Sequence, residues 1–385
     1  QLDGSWVTIF WTLEAAVLYY LGRAKNIAIY QKLSFPLIFI SFISLIQDWT
    51  NYFDAYIDYQ QQVTPILNVG FLTSCIVIAA FAWMFTISKK KVDNPERSVQ
   101  IDQILSYSIP GILVFVIYTA ILIEICKHFN NLLLQTRINT SPNAKEANPI
   151  YFYNNDYELL KTASIYMYSL CCASALSLIN LKKIKNSILA NITLILNMVL
   201  FITFLTHGLY NLSLLRDSYL FPGEGYFNSG LINITIRYVS LLVFALLTTT
   251  HYQLGRSPLV KQNYKTAFDY LLYISILWII SSELINILNL CRLDGSYKLG
   301  MSILWGVYAL FLIILGLAKN KKHLRIGAIA LFGITLVKLF LYDIAYLGTI
   351  AKTIVFVSLG ILLLIISFLY NKYKHLITDE PETEK

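Results

Sequence analysis

Long apolar runs and short polar connections alternate along the whole chain. Eleven such runs cover residues 5–22, 33–48, 67–87, 103–126, 158–180, 187–209, 229–251, 267–289, 297–318, 325–346 and 351–371. A helix rising about 1.5 Å per residue needs about 20 apolar residues to cross about 30 Å of hydrocarbon. Each run therefore predicts a membrane span. The run 33–48 is the shortest, so it must draw on its flanks or sit where the bilayer thins. No run shows the in-and-out alternation of a membrane β-strand, and hydrocarbon offers no partner to unpaired backbone groups. The predicted fold class is all-α, a polytopic transmembrane helical bundle over residues 1–377 with a polar cytoplasmic tail at 378–385.

The polar connections carry an orientation. One alternating set holds twenty of the thirty Lys and Arg residues, including Arg23 and Lys25, Lys89 to Lys91, Lys182 and Lys183, Arg256 and Lys265, and Lys319 to Lys322. The opposite set holds eight, and only Arg237 and Lys338 fall inside runs. Basic residues are retained on the cytoplasmic side, which predicts an outside N-terminus and an inside C-terminus. The outside connections are longer and rich in aromatics and acids. They are 47–59, 127–157 and 210–229.

Composition narrows the class further. Of 385 residues, 57% are hydrophobic and 14% charged, and mean hydropathy is +0.60. One soluble core cannot hide so much apolar surface, since cores stop growing near about 250–300 residues. Disorder, a disulfide scaffold and a soluble enzyme are excluded. The formal charge of +8 is spread as topology signals, not gathered into a groove, so no nucleic-acid partner is predicted. The chain opens on Gln1 with a run starting almost at once and no leader pattern, so further spans are expected before it. The five cysteines and five histidines show no ligand spacing, and neither a metal site nor a cofactor is predicted.

Two segments resemble each other. Trp11 precedes Leu21-Gly22-Arg23-Ala24-Lys25-Asn26 at the spacing by which Trp305 precedes Leu315-Gly316-Leu317-Ala318-Lys319-Asn320. Each returns through a run ending near an acid, Asp48 or Asp343. Both copies run outside to inside, so a helical hairpin is repeated in parallel. The closing stretch Val337-Lys338-Leu339-Phe340-Leu341-Tyr342-Asp343-Ile344, with Val357 through Leu363, resembles the end of a large bacterial family. So does Leu2-Asp3-Gly4-Ser5-Trp6 with Trp11 and Glu14. The family is domain of unknown function two-three-three-nine, described as a predicted membrane protein. The resemblance implies a multi-pass protein of the bacterial inner membrane and a chain that forms the C-terminal portion of a longer one. It transfers no activity.

Ionisable side chains inside spans each cost about 2.5–3.5 kcal/mol on insertion scales, so each asks for a partner or a role. They are Glu14, Glu124, Arg237, Glu283, Lys338 and Asp343. All but Glu14 fall in the outer half of the bilayer, which suggests one outward polar cluster. The functional expectation is a ligand-binding pocket for an amphiphile, a lipid or lipid-linked glycan entering from the outer leaflet. Arg237 and Lys338 would serve as its charge partners. The competing expectation is interhelical ion pairing with snorkelling of the two cations. The loop acids Asp48, Asp54 and Asp58, beside Trp49, are further periplasmic candidates. Asn68 reads as a helix cap and Pro110-Gly111 as a kink. Three functions remain open on the sequence: an amphiphile-binding protein, which includes an enzyme of glycan or acyl transfer; a secondary transporter or channel; and a non-catalytic scaffold with an envelope protein partner.

Overall fold

A computed structural model describes residues 4–25, 27–57, 64–89, 99–139, 151–221, 227, 230–260, 264–293, 297–339 and 349–372. The chain divides into two compact units, Gln1–Tyr168 and Ser169–Lys385. In the first lie α1 (Ser5–Ala24), α2 (Ala28–Ile57), α3 (Val69–Ser88) and α4 (Val99–Gln135). A minimal antiparallel ladder follows, pairing β1 (Ile138–Asn139) with β2 (Tyr151–Phe152) so that Ile138 faces Phe152. Helix α5 (Asp156–Ile179) crosses from the first unit into the second. The second unit contains α6 (Ser187–Thr203), α7 (Leu209–Leu220), α8 (Ile232–Gly255) and α9 (Lys265–Leu290). It closes with α10 (Tyr297–Ala318), α11 (Lys322–Lys338) and α12 (Thr349–Lys372).

Within its described residues each apolar run is largely helical, and several helices outlast their runs. Among the described residues, eight helical stretches are long and apolar enough to cross a membrane. Helices α1, α11 and α12 are not among them, so eleven spans exceed what these helices establish by length and composition. The short run 33–48 reaches into both flanks, as α2 of 30 residues passing through Pro36. The expected outside loop 210–229 begins as helix. A single π-type turn at Phe204–Gly208 joins α6 to α7, and the helical path continues to Leu220. In the same way α4 runs nine residues beyond its predicted end at 126. The 378–385 tail lies outside the described residues.

Side chains sort by size more than by polarity. Ser34, Ser41, Ser177, Asn180, Thr193, Asn197, Ser302 and Thr335 are fully buried, while Leu242 and Ile195 are 70% and 66% exposed. Where the surrounding solvent is hydrocarbon, apolar side chains gain nothing by facing inward. Small residues then line helix contacts because they let backbones approach. The first unit's core is Ala15, Tyr19, Ile38, Leu45, Phe81, Met84, Leu105, Ile109 and Val116.

Two hairpins show how closely backbones meet. A Cβ on Gly22 of α1 would lie 2.7 Å from the Gln31 backbone nitrogen of α2. A Cβ on Gly316 of α10 would lie 2.8 Å from Arg325 Cγ and 3.1 Å from its backbone nitrogen. Further along the first hairpin, Thr8 Oγ1 and Ser44 Oγ are 2.6 Å apart, and in the second Lys338 Nζ donates to Ser302 Oγ at 2.8 Å.

Candidate functional site

Helices α8 and α9 carry the central charged pair. Arg237 is 1% exposed, and its Nε donates to Glu283 Oε2 at 2.8 Å while Nη2 donates to Ser282 Oγ at 2.8 Å. Tyr238 Oη and Asn286 Nδ2 both donate to Glu283 Oε1, at 3.0 and 3.2 Å. The carboxylate is thus held on both oxygens. Arg237 Nη1 is buried and meets no hydrogen-bond partner among the described residues.

Glu124 and Lys338 take partners within their own units. Glu124, in the C-terminal third of α4, receives the Ile66 backbone N–H at 2.6 Å, Asn68 Nδ2 at 3.0 Å and Lys127 Nζ at 2.7 Å. Asn68 also caps α3, accepting the Phe71 N–H at 2.8 Å, as its sequence position predicted. Ile66 adopts φ +66°, a left-handed conformation that a β-branched residue rarely takes. Glu124 therefore clamps a strained turn. Lys338 Nζ donates to Ser302 Oγ and to the Lys298 carbonyl at 3.2 Å. Glu14 is half-buried on α1, with no hydrogen bond or ion pair among the described residues, and Asp343 lies outside them.

The proposed periplasmic loop is mostly helix. Asp48 and Trp49 lie on α2 and are buried. Asp48 Oδ2 accepts Thr8 Oγ1 at 2.7 Å, and Trp49 Nε1 donates to Ser74 Oγ at 3.1 Å. The backbone of Asp54 is also helical, while its side chain and all of Asp58 fall outside the described residues. No Gly or Pro interrupts 47–57, so the helix leaves the apolar run without stopping. Asp48 and Trp49 are packing residues, not loop residues.

A cavity of about 440 Å³ opens at the opposite end of α8 and α9, among the basic connections of the second unit. One stripe of α6, formed by Asn191, Leu194, Ile195 and Met198, makes one wall, and Phe268 and Leu271 of α9 make another. Among the described lining residues, Arg256, Lys265, Lys321 and His323 stand with one acid, Asp269. Asp269 Oδ2 is bonded by Lys321 Nζ and lies 3.0 Å from His323 Nε2. The Arg256 guanidinium sits 4.3 Å over the Tyr252 ring, a cation–π contact that orients it. His251, 7% exposed, stacks on Phe268, and its Nδ1 meets no partner among the described residues.

This cavity escaped sequence reasoning because its cations had already been assigned to topology. The missed signal is Asp269, an acid placed between Lys265 and the Lys319 to Lys322 group. An isolated carboxylate at the basic end of a bundle needs a partner. Apolar walls with a few convergent polar groups are the form small-molecule sites take.

The family model described as "Predicted membrane protein (DUF2339)" matches residues 1–373. No curated protein and no solved structure matches the chain.

Proposed function

The chain belongs to this family of membrane proteins, and from that premise we propose that it is a multi-pass bacterial inner-membrane protein that binds an amphiphilic ligand in the cavity of its second unit. The cavity itself carries the reading, because apolar walls and a cationic rim suit a molecule with one apolar and one polar end. The reading includes eleven spans, an outside N-terminus and an inside C-terminus. In its support, most of the described part of each apolar run is helical, and the basic residues of the cavity gather at one end of the helices. It also includes the repeated hairpin. Gly22 meets Gln31 as Gly316 meets Arg325, each nine residues on, and the Thr8–Ser44 and Ser302–Lys338 bonds both span thirty-six residues.

In that orientation the cavity faces the cytoplasmic leaflet. A second reading keeps the outer leaflet, with a lipid-linked glycan as ligand. One observation favours it: the buried, unpartnered Nη1 of Arg237, near the other end of α8. A transporter with a broken-helix site has less support, because the helix bearing Glu14 is continuous from Ser5 to Ala24. The scaffold reading accounts for the Arg237–Glu283 pair but leaves the cavity without a use.

Native mass spectrometry of the full chain released from nanodiscs tests the proposal. One retained lipid per protein is expected, lost when Met198→Trp fills the cavity. Equal lipid retention by the parent and filled proteins would refute it.

A further inference from the structure

We infer that the cavity selects a phosphate-bearing anionic lipid, seating the phosphate among Arg256, Lys321 and His323 with the tail leaving along α6. This inference rests on the amphiphile-binding reading and names its ligand class.

Three observations carry it. The first is charge. Among the described lining residues Arg256, Lys265 and Lys321 are basic and Asp269 is acidic, so the formal charge of the lining is positive. An anion at such a place replaces the repulsion among like charges with charge-assisted hydrogen bonds. Arg256, laid over the Tyr252 ring, presents its guanidinium edge to a tetrahedral oxyanion. Asp269 holds Lys321 and His323 together on one oxygen, and is a positioning residue for both.

The second observation is the polar atom left over at the apolar wall. His251 is nine-tenths buried, lines the cavity and leaves Nδ1 without a partner among the described residues. A buried ring nitrogen in that condition has lost its solvation with no hydrogen bond to offset it. A headgroup hydroxyl, ester oxygen or ordered water entering the cavity supplies that hydrogen bond.

The third is an exit for an apolar tail. Leu194, Ile195 and Met198 line the cavity on one stripe of α6. Leu194 is buried, while Ile195 and Met198 are 66% and 37% exposed, and Ile202, one turn further, is 58% exposed. The stripe runs from the closed interior to the outward apolar face. A soluble phosphate compound would have no use for it.

The test is competitive retention by the full chain in nanodiscs, read by native mass spectrometry. The probes are phosphatidic acid, phosphatidylglycerol, phosphatidylethanolamine and soluble glycerol 3-phosphate. The parent protein is expected to retain the two anionic lipids over phosphatidylethanolamine by about tenfold or more, given about 1 kcal/mol per basic residue at a membrane surface. Glycerol 3-phosphate should compete weakly. Arg256→Gln with Lys321→Gln should erase the preference yet still retain phosphatidylethanolamine, and Arg256→Lys should keep part of it. Each single variant, with a thermal melt alongside, guards against a double variant that fails to fold.

Equal retention of anionic and zwitterionic lipids by the parent, or a preference untouched by the neutral variants, would overturn selection of an anionic phosphate headgroup over a zwitterionic one. If Met198→Trp still expels lipid in that case, the amphiphile reading survives by itself. If it expels none, that reading fails as well. Competition by glycerol 3-phosphate equal to that of phosphatidic acid would overturn the lipid source and leave a soluble phosphate ligand.

Discussion

At the scale of single residues, buried charge is the strongest feature of the second unit. Arg237, 1% exposed, is paired with Glu283 at 2.8 Å from Nε, and Glu283 is itself held by Tyr238 and Asn286. Removing one partner of a buried pair costs about 3–5 kcal/mol, much of it from the charge left behind. Arg237→Gln and Glu283→Gln should each lower thermal stability in detergent by that order, and the double variant should lose much less than the sum. Additive losses would deny the pair. A parallel case is Glu124, which satisfies Lys127, Asn68 and the strained Ile66 turn together. Glu124→Gln should destabilise by a similar amount, while Asn68→Ala should cost about 0.5–2 kcal/mol for the lost cap. Thermal unfolding followed by circular dichroism compares the two directly.

Among elements, the α1–α2 and α10–α11 hairpins depend on absent side chains. A Cβ on Gly22 would meet a backbone nitrogen at 2.7 Å, and backbone cannot rotate out of the way. Gly22→Ala and Gly316→Ala should each cost about 1–3 kcal/mol as overpacking. Gly111 and Gly333, with nothing within 4 Å of an added Cβ, make the controls. Their alanine variants should be neutral or stabilised by up to about 1 kcal/mol, since alanine is the better helix former. Equal losses at all four positions, measured by thermal melting, would remove the close-packing account.

Element boundaries show why hydropathy placed helices well and their ends poorly. An apolar run stops where hydrocarbon stops, but a helix stops where its backbone is interrupted. After 126 no Gly or Pro appears until Pro142, and after 209 none until Pro222. Helices α4 and α7 run on through the polar residues between. The acids and aromatics of 47–57 looked like a loop for the same reason and proved to be the last turns of α2.

For the whole molecule, the orientation can be tested without introducing a new label site. Cys291 is exposed in the turn after α9, on the side expected to face outward. A membrane-impermeant maleimide should label it in right-side-out vesicles and fail to label Cys291→Ser. Labelling that requires permeabilisation would invert the topology and place the cavity toward the outer leaflet.

The sequence alone determined that this is a helical membrane protein, and the family comparison agrees. Run length and composition suffice for that conclusion, because hydrocarbon imposes helix on any apolar segment that must satisfy its own backbone. The sequence also named Arg237 and Glu283 as charges in need of partners, since the cost of burying a charge belongs to the residue itself. Only the tertiary structure decided which partner each charge took, and which polar residues pack and which line a space. Asp48 and Asp269 look alike as acids near the end of an apolar run, yet one closes against Thr8 and the other stands in a cavity. Inside a membrane, apolar residues face both lipid and neighbour. Hydropathy then carries no record of which helix faces meet, and the position of a cavity depends on nothing else.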